Sequence, residues 1–88
     1  MSYSSHKKQA LDADLPIRHR LSHVRSCAVC VAEKYGVGRS VILDRIGIAD
    51  AHEEHDLPSA QHIEAAIAAL DEIKASGIPA NPRLDEFP

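Results

Sequence analysis

Aromatic side chains are nearly missing from this 88-residue chain: Tyr3, Tyr35 and Phe87 are the whole set, and there is no tryptophan. Recognition of single strands or RNA through stacked bases needs aromatic platforms, so that class is disfavoured. Tyr3 and Phe87 lie near the two ends, which leaves Tyr35 as the one aromatic expected in a core. There are only two cysteines, Cys27 and Cys30, and no apolar run approaches the ~18 residues of a membrane span. With no secretory apolar segment at the start, the expectation is a cytoplasmic chain with reduced thiols and no membrane contact. Glycine-rich phosphate loops after a strand, nucleophile motifs, β-alternation and internal repeats are also lacking. The chain offers no catalytic constellation and is read as a non-enzyme.

What is present is a sharp division of charge. Residues 17–46 carry six basic side chains against two acidic ones, net +4, whereas residues 47–88 carry two against nine, net −7. Such asymmetry suits an anionic partner on one face or head-to-tail self-association, and a solvated surface is the plainer alternative. At 88 residues the chain is one domain at most. Domains this small bury little surface, so a homodimer is expected.

Apolar periodicity predicts an all-α fold, a small bundle of three to four helices containing a helix-turn-helix, with extended tails. Residues 1–14 are polar and read as a flexible arm, within which Lys7 to Asp12 could form a helical turn. Residues 15–77 form the helical domain. Residues 78–88 contain three prolines and read as an extended tail, able to dock a protein partner through Ile78, Leu84 and Phe87. Pro16 suits the first turn of a helix, with Asp14 as its cap. Ile17, Leu21, Val24, Ala28, Val31 and Tyr35 then form one stripe on a helix of about 20 residues that Gly36 ends. A short helix from Gly38 or Arg39 carries Val41, Ile42, Leu43 and Ile46, and Gly47 closes it. Residues 49–57 are polar and read as a loop or frayed turn. A last helix starts at Asp56 or Leu57, buries Ile63, Ala66, Ile67, Leu70 and Ile73, and stops at Gly77.

The stretch from Val31 to Ile46 carries the functional reading. Ala32 is small enough for a second helix to cross above it. Gly36 tolerates positive φ at the turn, Val37 plugs the gap between the helices, and Ile42 faces the first helix. On Val31, Ala32, Glu33, Lys34, Gly36, Val37, Ser40 and Ile42 the segment resembles the helix-turn-helix of phage-repressor and Cro-like regulators, over about a quarter of the chain. The resemblance implies duplex DNA as partner, with Arg39 and Ser40 facing the groove and Leu43 able to meet a thymine methyl. Arg18, Arg20, Arg25 and Lys34 would add phosphate contacts. Arg45 stands where the family has an apolar residue, and Asp44 would be repelled by phosphate unless it accepts from cytosine. An ordinary helix–turn–helix packing corner competes with this reading, as does a protein-binding module using the alanines Ala65, Ala68 and Ala69.

A separate stripe on the first long helix holds His19, His23, Cys27 and Cys30, all types that ligate zinc or copper. About 16 Å of helix separates its ends, so one ion cannot take all four. A site would pair neighbours and recruit His52, Glu53, His55 or Asp56. Cysteine also behaves as a small buried hydrophobe, which accounts for the same stripe without metal. Cys27 and Cys30 have redox spacing but sit deep inside a helix, away from the dipole that lowers a thiol pKa. His52 and His55 are one residue too close for the zinc-protease spacing.

Overall fold

The computed structural model describes residues 2–49 and 57–77. The described residues form four helices and no strand: α1 (Tyr3–Ala10), α2 (Ile17–Tyr35), α3 (Arg39–Ile46) and α4 (Ala60–Ser76). The fold is an all-α bundle, and no described helix is long and apolar enough to cross a membrane. The polar stretch from 50 to 56, with its candidate ligands, and the tail from 78 to 88 lie outside the described residues.

Helix α2 is the spine. Leu21, Val24, Ala28 and Val31 are buried along it as the four-and-three spacing requires, and Ile17 and Tyr35 pack at its ends. Cys27 and Ala32 widen the buried stripe, which is how one helix touches all three others. The helix begins after Pro16, whose carbonyl takes the first bonds from His19 and Arg20. Asp14 does not cap it: the Asp14 amide turns back to Asp12 Oδ1 at 2.9 Å.

At the other end Gly36 adopts φ 66°, the left-handed conformation. The Gly36 amide bonds Glu33 O and the Val37 amide bonds Ala32 O, a paired closure that satisfies two of the last carbonyls. A Cβ at Gly36 would meet no atom within 4 Å, so backbone strain alone decides the cost of adding one. Gly36→Ala should therefore lower stability by roughly 1–2 kcal/mol, read as a shifted urea midpoint. An unchanged midpoint would mean the corner is not held in this conformation.

The same closure recurs at the end of α3, where Gly47 (φ 75°) bonds Asp44 O and the Ile48 amide bonds Leu43 O. Helix α4 starts later than its apolar pattern suggests. It begins at Ala60, three residues after Leu57, and Ser59 is its cap, with the serine hydroxyl accepting from the otherwise orphaned His62 amide at 3.1 Å. Ile63, Ala66, Ile67, Leu70 and Ile73 all face inward.

The first fourteen residues depart furthest from expectation. Residues 3–10 are not a loose arm but a helix, capped by Ser2 and laid against α2 and α4. Its inner face shows why periodicity missed it. Ala10 is its one fully buried residue, and the rest of that face is Tyr3, His6 and Lys7. Hydrogen bonds from polar groups hold α1, rather than an apolar stripe. Tyr3 packs against the core instead of lying in a tail.

Candidate nucleic-acid interface

The corner between α2 and α3 has the geometry a helix-turn-helix needs. Ala32 is buried, Val37 is half-buried in the gap, and Ile42 is fully buried against α2. Arg39 and Ser40 are exposed at the first turn of α3. Lys34 is exposed just before the turn, its Nζ bonding Lys74 O at 2.9 Å and lying 5.4 Å from the Tyr35 ring centroid. Lys34, Arg39 and Ser40 are thus gathered around one bend.

Two residues assigned to DNA are placed elsewhere. Leu43 is only 1% exposed and so cannot meet a base. At about 100° per residue, Ile42, Leu43 and Ile46 share one arc of α3, and α4 closes the side of that arc which an unaccompanied helix would leave open. His62 Nε2 donates to Gly47 O at 2.8 Å there. The solvent side of α3 is Ser40, Val41, Asp44 and Arg45. Arg20 is likewise only 5% exposed, and its Nε donates to Ala10 O at 2.8 Å. It ties α1 to α2 and offers no charge to a phosphate.

The remaining cations divide by position. Arg25 is half-buried and reaches Ala49 O at 3.5 Å, which places it beside the end of α3. Its Nε is buried with no hydrogen-bond partner among the described residues. Arg18 is exposed, but some 27 Å of helix separates it from Gly36, so it does not share the corner. Arg45 is exposed, while Ile46 takes the inward place beside it. The sequence signal for Arg45 was the mismatch itself: an arginine at an expected apolar position meant that the buried arc had rotated by one residue.

The histidine–cysteine stripe does not converge. His19 is exposed, Cys30 is half-buried and Cys27 is fully buried. Among the described residues no three ligating side chains come together. Burial first, then Cys30 and Asp71, push the Cys27 thiol up to about 12, against a small opposing effect of Lys7. It stays a thiol at neutral pH and donates weakly to Tyr3 O at 3.8 Å. His23 instead turns to His6 on α1, with the two Nδ1 atoms 2.9 Å apart.

A second polar cluster joins α1 to α4. The Tyr3 hydroxyl donates to Asp71 Oδ1 at 2.8 Å, Lys7 Nζ reaches Asp71 Oδ2 at 2.7 Å, and Lys74 Nζ lies 4.8 Å from the Tyr3 ring centroid. They line an open groove of about 390 Å³ together with Lys8. Burial, then the bond to Asp71, push the Tyr3 hydroxyl well above the usual phenol range.

These contacts predict a two-step acid response. Desolvation, then repulsion from His23 and the N-terminal amine, hold His6 below the ordinary value of 6.5. The unfolded chain then binds more protons, so stability falls as the pH drops below about 6.5 and levels off past the lowered folded value. Burial would raise Asp71, but hydrogen bonds from Lys7 and Tyr3 and the Lys7 and Lys74 charges outweigh it and hold the carboxyl below 3.8. Its contribution is present above that value and is lost as the pH falls through the lowered one. Urea unfolding from about pH 8 down to pH 3 should show two separate declines, with His6→Gln shrinking only the upper one. An upper decline of unchanged size in that variant contradicts the pairing.

No family model matches the chain, and neither does any curated protein or solved structure.

Proposed function

We propose that the chain is a small cytoplasmic DNA-binding regulator, acting as a homodimer, that meets duplex DNA with the corner between α2 and α3. The observation that carries this reading is the left-handed turn at Gly36, which buries Ala32 and Ile42 while leaving Arg39 and Ser40 exposed. Arg39 and Ser40 approach the groove first. Lys34 before the turn and Arg25 beside the far end of α3 neutralise phosphates on either side. Arg45 joins them on the solvent face of α3, and Asp44 between these cations selects against poorly aligned phosphates or accepts from a cytosine amine.

Duplex titrations at two salt concentrations test the proposal. Three phosphate contacts per chain imply a salt slope of about −2.7 for each bound chain, so affinity per chain should fall roughly 40-fold between about 50 and 200 mM. Arg39→Ala should weaken binding by about 1–3 kcal/mol if it reads a base, or reduce the slope by about one if it holds a phosphate. Absence of binding at low salt, or an affinity indifferent to salt, removes the proposal.

A second reading is favoured by α4, which turns Ala65 and Ala68 outward. Small side chains let another helix approach closely, so this face suits a protein partner or the second subunit. Ala68→Glu should disrupt such an association while leaving DNA affinity per chain unchanged. Sedimentation that is identical for the variant and the parent excludes that face.

A further inference from the structure

We infer that His6 and His23 form an open two-imidazole site for a borderline divalent cation of the zinc type, which clasps α1 to α2. Their Nδ1 atoms converge to 2.9 Å from two different helices, with ring centroids 5.2 Å apart and the planes inclined by 37°. Without metal, one Nδ1 must carry the hydrogen and the other must accept it. Neutral imidazole is the commonest transition-metal ligand, through either ring nitrogen. Zinc–nitrogen bonds of 2.0–2.1 Å in tetrahedral geometry place two nitrogens about 3.3 Å apart, so the pair need open by only a few tenths of an ångström.

The protonation change balances. The ring that now carries hydrogen on Nδ1 moves it to Nε2, and both rings then present an Nδ1 lone pair to the cation with no net proton released. Both residues sit within helices rather than loops, and their backbones are fixed by neighbouring contacts: Arg20 Nε to Ala10 O on one side and Cys27 Sγ to Tyr3 O on the other. Neither ring is fully buried, so water can complete the coordination sphere. With no third ligating side chain converging among the described residues, the site is open and of modest affinity. Imidazole selects zinc, nickel or copper over magnesium or calcium. Because α1 docks through polar contacts, a cation shared between His6 and His23 would act at the least apolar junction of the bundle.

Zinc chloride titrated by calorimetry into the full chain near pH 7.5, with thiols reduced, is the test, and magnesium chloride is the control. We expect one zinc per chain and no magnesium. Zinc at about ten times its Kd should raise Tm by roughly 6–11 °C. His6→Gln and His23→Gln should each abolish both effects. Cys30→Ser, and separately the double replacement His52→Gln with His55→Gln, should retain them. Ring-nitrogen NMR of the unmodified chain provides a readout independent of variant folding: zinc should shift the Nδ1 signals of two histidines and leave both Nε2 atoms carrying hydrogen, one of them newly so. Zinc binding that survives His6→Gln overturns the inference. So does binding lost with Cys30→Ser or the double replacement, coordination through Nε2, or no stoichiometric binding at all.

Discussion

Replacing Leu43 with Ala should lower the unfolding free energy by about 2–5 kcal/mol. The side chain is 1% exposed between α2 and α4, and its carbonyl also closes the helix by accepting from the Ile48 amide at 3.0 Å. Truncation removes apolar contacts and leaves a cavity that two packed helices can only partly fill. Stabilities of roughly 0.05–0.15 kcal/mol per residue are usual, so the loss is a large part of the total for a chain this size. Urea unfolding should show a lower midpoint with an unchanged slope. A leucine pointing at a thymine methyl would behave in the opposite way: stability within about 0.5 kcal/mol of the parent, with the change appearing in DNA affinity. That result would reject the burial of Leu43 described above.

Arg20→Ala should also be strongly destabilising, at about 1.5–3 kcal/mol for a lost hydrogen bond from a charged group. The Ala10 carbonyl is among the final carbonyls of α1, and within the helix it has no partner; the Arg20 Nε supplies one at 2.8 Å. Without it a buried acceptor is left unsatisfied, and the long stem that fills the junction of α1 and α2 is gone. Arg20→Met separates the two contributions by keeping the stem and discarding the donor. Amide exchange should accelerate in α1 well before it does in α2 or α4, because α1 has the least apolar burial to hold it. For folded Arg20→Ala the salt slope of DNA binding should match that of the parent. If instead the slope drops by about one while stability holds, the guanidinium is on a phosphate and not on Ala10.

Both substitutions concern residues whose sequence position pointed outward and whose partners come from elsewhere in the chain. The spacing of Leu21, Val24, Ala28 and Val31, and of Ile63, Ala66, Ile67, Leu70 and Ile73, made α2 and α4 legible, because each buries a stripe set by its own period. Gly36, Gly47 and Gly77 marked helix ends in the residue type itself, since each takes a positive φ. Leu43 was not legible, because α3 alone has more than one apolar arc and the choice between them is made by α4, some twenty residues further on. Arg20 and His6 were hidden for a related reason. Their partners depend on α1, and the inward face of α1 carries a phenol, an imidazole and an ammonium group where a hydrophobic pattern would have announced it. Of the proposed DNA-facing set, Arg39, Ser40 and Lys34 gather at the corner because the turn fixes them locally. Arg25 reaches the end of α3 only through the return of the chain past Gly47.

The way α2 and α4 finish together has a practical consequence for anyone tagging or extending this molecule. The Tyr35 hydroxyl reaches Ile73 O and Lys74 O at 3.1 and 3.0 Å, the Lys34 ammonium shares Lys74 O, and a Cβ on Gly77 would lie 4.0 Å from the Tyr35 ring. The polypeptide therefore departs from α4 within touching distance of the bend at Gly36. Whatever continues from Gly77 shares its point of origin with the arginine-bearing corner, so fusions downstream of that glycine and changes at the bend should be designed as one alteration.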